Sequence, residues 1–551
     1  MQAQPGMGRL YTVAFVASTC TLVLEIVAGR ILAPHVGVSL YTWTSVIGVV
    51  LAGISVGNYL GGWLADRFPG PSTLGLMLLM ASLTSFGILG LATYLPGETL
   101  DLPLVPRILA LTAAIFFLPS CVLGMVTPVV VKQALTDINR TGKVVGKIYA
   151  VSTAGSILGV YLTGFVLIAI FGTRLIVVIV AAILLVLAFL FGNLRRARVA
   201  AAVLLIPTIA SAGYSTYLMF REGHCTIETN YFCIKVYDEE RDGQRVRKLV
   251  LDQLVHSYSS LENPHLMVYG YTQTYVEAAA YLAEADPSLR TLFIGGGGYT
   301  VPRHLEVRYP QASVEVMEID PGVTEVAHRY FGLDANTRVV TYNEDARMAL
   351  SGLKYQKYHL IVGDAFNDLS VPYHLTTLEF SRAIRDLLAD NGMYMTNIVD
   401  RLQDGRFLRA YVRTLQQLFP SVYVLSNADY WDSPYRGTYV VAASLRPIPF
   451  DRFVPYRALA GIEPGSRRSA TVVMPPPAMA EWLQGGQKEL LTDDHAPVDT
   501  MLAALFLARA PEWQVNWRWR LPAFITRLWQ RDRGASSGPA PMAALAWSRP
   551  R

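Results

Sequence analysis

This sequence predicts an α-helical multi-pass membrane bundle followed by a doubly wound α/β domain, with a small β-strand subdomain between them. Three observations carry that prediction. Apolar residues make up 52% of the 551 and charged residues only 16%, with the apolar excess concentrated before residue 220. From 288 to about 445, short apolar strands alternate with helix-like segments. Within that alternation an apolar strand, Leu292 to Ile294, runs into four glycines, Gly295 to Gly298, and the next strand ends in Glu318 and Asp320.

The membrane bundle follows from length. A bilayer core of about 30 Å needs roughly 20 apolar residues per helix. Seven stretches meet that need, at about 10–33, 40–64, 73–95, 107–131, 147–171, 174–193 and 199–220. A buried soluble core would require polar faces on these segments, and they have almost none. Residues 1–220 are therefore expected to form a transmembrane domain of about seven helices. The first stretch is too long, and too closely followed by others, for a cleaved leader. Small residues recur where helices would meet in lipid, as in Gly53, Gly57 and Gly61, and again in Gly155 and Gly159. GNYLGGWLADRFPG (57–70) resembles the loop between helices two and three of major facilitator transporters. Glu25 and Arg30 fall within or at the end of the first helix, where ionisable groups pair or line a polar cavity.

Charge and cysteine usage bear on orientation. One set of helix ends collects Arg9, Arg67, Lys132, Arg140, Lys143, Lys147, Arg195, Arg196 and Arg198, while the other has Arg30, Arg107 and Arg174. The excess of basic residues in cytoplasmic loops places the amino terminus in the cytoplasm. Seven crossings then deliver residues 221 onward to the outer side of the membrane. Cys225 and Cys233 flank CTIETNYFC, which would form a disulfide in an oxidising compartment. Two cysteines at that spacing do not make a zinc site, which wants four ligands.

The second half divides into a small β-rich subdomain over 221–287 and an α/β domain over 288–490. In the first, TNYFCIKVYDEE and RVRKLVLDQLVHS read as strands joined by a turn at DGQ (242–244). In the second, the strands are TLFIGG, SVEVMEID, RVVTYNED, YHLIVGDAF, MYMTNIVD and VYVLSN. In such sheets ligands sit at the carboxyl ends of the strands, and there the acids lie: Glu318 after the second strand, Asp345 after the third, Asp364 after the fourth. Glycines after a strand let backbone approach a ligand closely, and an acid at the end of the next strand can accept both hydroxyls of a ribose. Glu318 suits a ribose, Asp345 an adenine amino group, and Asp364 the reacting centre. The alternative for each is a helix cap or turn acid.

With these residues laid out, 249–445 resembles the spermidine synthase (aminopropyltransferase) family, on a Rossmann-like, class I methyltransferase-type fold. The whole chain resembles its membrane-fused bacterial branch. LVLDQLVHS (249–257) resembles the family's Leu-Asp-Gly-x-x-Gln segment, with Asp252 kept and His256 in the glutamine place. YVEAAAYLA (275–283) resembles its Tyr-[His/Gln]-Glu helix through Tyr275 and Glu277. GGGGYT (295–300) stands for Gly-Gly-Gly-Asp-Gly, EID (318–320) is retained, and NEDA (343–346) stands for the Gly-Asp-Gly that contacts adenine. GDAFND (363–368) stands for Asp-Ser-Ser-Asp-Pro, whose first acid is the base.

The resemblance implies an amine attacking decarboxylated S-adenosylmethionine to give a longer polyamine and methylthioadenosine. Gly295, Gly296, Gly297, Gly298, Glu318, Asp345, Ala346 and His256 would bind the nucleoside donor. Tyr275, Glu277, Asn367 and Asp368 would bind the amine, and Asp364 would be the catalytic base, with no metal. The sulfonium leaves without protonation, so the protein supplies positioning and a base. Two departures qualify this. Gly298 replaces the acid that binds the donor's free ammonium in the family, so intact S-adenosylmethionine would meet less repulsion. Asn367 replaces a second acid, with Asp368 one step further on.

Towards the end, LTDDHAPVD (491–499) groups Asp493, Asp494, His495 and Asp499. It could add charge to an amine pocket or bind a metal, but a polar turn carrying a helix cap is preferred. Trp513, Trp517, Trp519 and Trp529 mixed with arginines suit the lipid headgroup zone, so 491–551 is expected to be an interfacial tail, disordered from 532. A net charge of only +5, with the basic residues beside membrane segments, excludes a nucleic-acid partner. Expected partners are a polyamine or other small amine and the lipid bilayer; a homodimer is left open. Two other readings stand beside the first: a methyltransferase-like enzyme consuming intact S-adenosylmethionine, and a transporter-like bundle whose soluble half senses a nucleoside.

Overall fold

The computed structural model describes residues 6–99, 102–135, 140–220, 225–241, 243–353, 357–365, 371–426, 431, 436–461, 471–486 and 488–507. A helix satisfies each backbone N–H and C=O within its own segment, so long uninterrupted apolar sequence folds that way. The helices are α1 (Met7–Val36), α2 (Leu40–Arg67), α3 (Pro71–Glu98), α4 (Leu104–Thr112), α5 (Leu118–Ala134), α6 (Thr141–Leu162), α7 (Ile168–Phe191) and α8 (Arg198–Phe220). π-turns at Ala113–Phe117 and Thr163–Leu167 join α4 to α5 and α6 to α7. Among the described residues six helical lengths are long and apolar enough to cross a membrane, and one of them, Thr141–Phe191, has 51 residues. As a single rod it would measure ~75 Å, more than twice a bilayer core. Gly172, with φ 68 and ψ 160, breaks it. The break falls between the stretches read from the sequence at 147–171 and 174–193.

The small-residue stripes mark the closest helix contacts. A Cβ on Gly57 would lie 2.0 Å from the Cys121 carbonyl oxygen, where α2 meets α5, and one on Gly155 would lie 2.3 Å from that of Phe15, where α6 meets α1. The Thr19 hydroxyl donates to the Gly155 carbonyl at 2.9 Å across the same contact. Basic helix ends gather at one end of the bundle: Arg9 donates to the Leu190 carbonyl at 3.0 Å and Lys132 pairs with Asp66 at 2.6 Å. Arg30 does not pair with Glu25. It belongs to the other end, where it donates to backbone carbonyls of Thr229 and Tyr231 in the second half of the chain.

That half opens with a four-stranded antiparallel sheet, β1 (Ile227–Glu228), β2 (Cys233–Arg241), β3 (Gln244–Leu251) and β4 (Leu254–Ser259), in that order. A Cys225–Cys233 disulfide closes its first turn. α9 (Gly270–Ala285) leads into an eight-stranded sheet built from β5 (Arg290–Ile294), β6 (Ser313–Met317), β7 (Val340–Tyr342), β8 (Tyr358–Gly363), β9 (Leu388–Arg401), β10 (Ser421–Ser426), β11 (Arg436–Ser444) and β12 (Val472–Val473). Their order is β12-β10-β11-β9-β8-β5-β6-β7. Strands β5 to β9 run parallel, while β11, β10 and β12 are antiparallel additions. The order reverses between β5 and β8, so the crevice beyond their carboxyl ends is the natural ligand position.

Alternation along β5 fills both faces. Phe293 packs with Val276, Ala279 and Leu282 of α9, whereas Leu292 and Ile294 join Ile384 of α13 (Leu378–Leu387) and Phe407 of α14 (Arg406–Gln416). The remaining helices are α10 (Thr300–Arg308), α11 (Pro321–Tyr330), α12 (Ala346–Leu350), α15 (Tyr456–Leu459), α16 (Pro476–Gln484) and α17 (Val498–Leu507).

The divisions drawn at 220, 287 and 490 do not separate compact bodies: Met1–Ala508 is one unit. α9, placed with β1 to β4 in the sequence division, packs on the large sheet. Residues 491–507 are no interfacial tail, since Leu491, Val498, Met501 and Leu502 are core residues of the α/β half. Trp513 and the residues after it lie outside the described residues.

Candidate active site

At the reversal point β5 passes into the glycine turn. Gly295 has φ 100, its amide donates to the Met317 carbonyl at 2.8 Å, and a Cβ there would lie 2.4 Å from the Asp364 carbonyl oxygen. Only glycine brings β5 and β8 that close. Glu318, at the end of β6, closes over the turn. One carboxylate oxygen accepts from Gly296 and Gly297 amides at 2.9 and 3.3 Å, the other from the Asp320 amide at 3.0 Å. Burial pushes the Glu318 carboxyl up, and the three amides partly offset it.

Asp364 follows β8. Asn397 on β9 donates to its Oδ1 at 2.5 Å, and the Tyr271 hydroxyl on α9 donates to the same carboxylate. Burial raises this carboxyl to about 7, against the two donors, which favour the charged form. Burial also lifts the Tyr271 and Tyr275 phenols well above their usual value and drops His256 to about 4, so all three are neutral at pH 7.

These groups enclose one cavity of about 310 Å³, in the range of small-molecule sites. Of the residues singled out in the sequence, Gly295, Gly296, Gly297, Glu318, Asp345, Ala346, His256, Tyr275 and Asp364 line it. Among the described residues, buried His256 Nε2, Tyr275 Oη and Asn397 Oδ1 have no hydrogen-bond partner. Buried polar atoms without partners are costly unless a ligand completes them. The residues present thus fit a nucleoside with a polar tail: a cradle that a Cβ would fill, a carboxylate above it, and orphaned donors and acceptors beyond.

The remaining positions fall differently. Asp345 Oδ1 caps α12 through the Arg347 and Met348 amides at 2.9 and 3.3 Å, and its Oδ2 meets His374 Nε2 at 2.9 Å. Gly298 is not part of the cavity wall: a Cβ there would lie 2.7 Å from Ser257 Oγ and 3.2 Å from the Phe331 ring. Glu277 is also away from the wall. It accepts the Tyr456 amide at 2.8 Å and ties α9 to α15. Asn367 and Asp368 lie outside the described residues. Asp493 is bound by Arg347 through both carboxylate oxygens and Asp499 accepts the Leu40 amide at 3.3 Å, so LTDDHAPVD is a set of structural ties. The sequence reading passed over Tyr271, Asn397, Tyr231, Phe232 and the α17 residues Leu502 and Leu505, all on the cavity wall. Tyr271 carried a usable signal, being four residues before Tyr275 on the same helix face.

Comparison with known proteins points the same way. The chain is 42% identical over 110 residues to a polyamine aminopropyltransferase of Vibrio vulnificus, covering 20% of this chain and 37% of that protein. It is 33% identical over 138 residues to a probable polyamine aminopropyl transferase of Bifidobacterium longum, covering 25% of this chain and 30% of that one. The chain therefore spans about a third of the length of these curated relatives. A probable spermidine synthase structure from Corynebacterium glutamicum matches 50% of this chain and 98% of its own, at 20% identity and a TM-score of 0.43, a likeness too loose to bear weight. No family model matches the chain.

Proposed function

We propose that the chain is a membrane-integral aminopropyltransferase that moves an aminopropyl group from decarboxylated S-adenosylmethionine to a polyamine or other small amine and releases methylthioadenosine. The observation that carries this reading is the setting of Asp364: a carboxyl near 7, held by Tyr271 and Asn397, opening on the same cavity as the glycine turn and Glu318. The two aminopropyltransferase relatives support the same reaction class over the part they cover.

In this reading the ribose hydroxyls donate to Glu318 above the glycine turn, and the start of α12, with Asp345 and Ala346, takes the base. The amine nitrogen attacks the methylene carbon beside the sulfonium. A C–N bond forms as the C–S bond breaks, and its electron pair leaves on sulfur as a neutral thioether that needs no proton. The proton displaced from nitrogen passes to Asp364, whose pKa near the working pH is what general-base transfer requires. The faces of Tyr271 and Tyr275 favour a cation beside that carboxylate.

One observation favours a second reading. Gly298 is closed over by Ser257 and offers no carboxylate to a donor ammonium, which leaves intact S-adenosylmethionine as an alternative donor for a methyl-transferring enzyme. Incubating the purified full chain with each sulfonium and a set of diamines separates the two. Methylthioadenosine with an elongated amine supports the first; S-adenosylhomocysteine with a methylated product supports the second and overturns the first.

We further place the amino terminus in the cytoplasm and the cavity on the outer face. The basic helix ends gathered around Arg9 and Lys132, and a disulfide at Cys225–Cys233, support that orientation. Labelling of those two cysteines by an impermeant reagent in sealed, right-side-out vesicles after reduction tests it. Labelling only after the vesicles are broken would reverse the orientation.

A further inference from the structure

Tyr231 and Phe232 wall the cavity, and they come from the short segment between β1 and β2. β1 is only two residues long, so its own ladder holds that segment weakly. The Cys225–Cys233 disulfide closes the segment on itself, and a grip from the membrane bundle fixes it against the rest of the chain. Arg30, near the end of α1, donates to the Thr229 carbonyl at 2.5 Å and to that of Tyr231. The Thr229 hydroxyl donates to Asp320 Oδ2 at 2.5 Å and accepts the Tyr231 and Phe232 amides at 3.1 and 2.9 Å. The Asp320 amide donates to Glu318 Oε1 at 3.0 Å, and the other Glu318 oxygen holds the glycine turn. An unbroken series of hydrogen bonds thus runs from a membrane helix to the floor of the nucleoside cavity.

Two further ties come from the same end of the bundle. The Thr173 amide, just after the Gly172 break, donates to the Glu228 carboxylate at 3.2 Å. The Leu40 amide at the start of α2 donates to Asp499 on α17, whose Leu502 and Leu505 form part of the cavity wall. Asp364, just after β8, and its donors on β9 and α9 lie outside this series.

We propose that Arg30 is a positioning residue for the nucleoside half of the cavity, so that the membrane bundle is a working part of the site and not only its anchor. This rests on the nucleoside-donor reading above. Without the guanidinium the carbonyls of Thr229 and Tyr231 lose their charged donor, Thr229 withdraws from Asp320, and Glu318 loses its fixed orientation. The donor should then bind more weakly while the base acts as before.

The test uses the full chain in lipid nanodiscs, with methylthioadenosine calorimetry and steady-state rates for wild type, Arg30→Gln, Arg30→Lys, Thr229→Val and the Arg30→Gln/Thr229→Val pair. Losing one such link is expected to weaken methylthioadenosine binding about tenfold. Donor KM should rise in step, with kcat within about threefold of wild type and amine KM unmoved. Arg30→Lys should recover part of the loss. The double variant should be little worse than either single one, because both break the same series. Wild-type affinity in Arg30→Gln, or losses that multiply in the double variant, would overturn the proposal. Should Arg30→Gln fail to fold, unchanged affinity in Thr229→Val overturns it alone. No heat with the wild type would instead remove the nucleoside reading, and this inference with it.

Discussion

Asn397 Nδ2 donates to Asp364 Oδ1 at 2.5 Å, across the parallel strands β9 and β8. The bond sets two effects against each other. Enclosure favours the neutral acid, while Asn397 and the Tyr271 hydroxyl favour the carboxylate, and the balance rests at about 7. An acid so placed is ready to take a proton at physiological pH.

Activity should accordingly follow ionisation of Asp364. With a folded pKa of about 7, kcat is expected to rise about tenfold per pH unit below that point and level off above it. A pH–rate profile under saturating donor and amine checks this. A flat profile from pH 5 to 9 would contradict it.

Asn397→Leu removes a donor that stabilises the charged form, so the pKa of Asp364 should climb further and the profile should move to higher pH. Activity at pH 7 is expected to fall roughly 10-fold and to recover largely by pH 9, because the ionised fraction drops about tenfold for each pH unit the midpoint climbs. A variant equally impaired at both pH values would show that Asn397 acts on something other than this proton.

Stability carries the same signature with opposite consequence. The folded pKa lies above the ordinary 3.8, so the native state holds this proton more tightly than the unfolded chain. Stability is therefore lost as pH rises from about 4 to about 7, and the loss then stays constant. Asp364→Asn, which cannot ionise, should be the more stable protein at pH 8 by on the order of 4 kcal/mol. Near pH 4 the two should melt together. Equal melting temperatures at pH 8 would remove the claim of a strongly raised carboxyl.

Glu318→Gln keeps the shape of the side chain but replaces one accepting oxygen with a donor, which faces either the loop amides or the ribose. Methylthioadenosine affinity should drop about 10–100-fold, as expected when a charged acceptor is lost. Calorimetry reads it directly, and an unchanged dissociation constant would release Glu318 from the ribose.

Elements governed by local chemistry were legible in the sequence. The apolar lengths, the strand–helix alternation, the glycine turn and the acids at strand ends each follow from a few neighbouring residues, and Glu318 and Asp364 both line the cavity at the reversal point. Facing direction was not legible from a motif match. Tyr275 and Glu277 lie two positions apart on α9, about 200° around a helix, so they cannot share a face. Tyr275 takes the cavity and Glu277 turns to Tyr456. Nor was every strand legible: Arg436–Ser444 is not among the six strands read from the sequence, although it pairs antiparallel with β9. Arg30 and Thr229 are 199 residues apart, and only the folded chain reveals their bond.

The most direct test compares wild type with Asp364→Asn on decarboxylated S-adenosylmethionine and a diamine, following methylthioadenosine by chromatography and its binding by calorimetry. Wild type should release methylthioadenosine in step with elongated amine. Asp364→Asn should bind methylthioadenosine with similar affinity yet turn over roughly 10²–10⁴-fold more slowly, the range of a lost general base. Wild-type turnover in that variant, or no methylthioadenosine from the wild type with any diamine, would contradict the account.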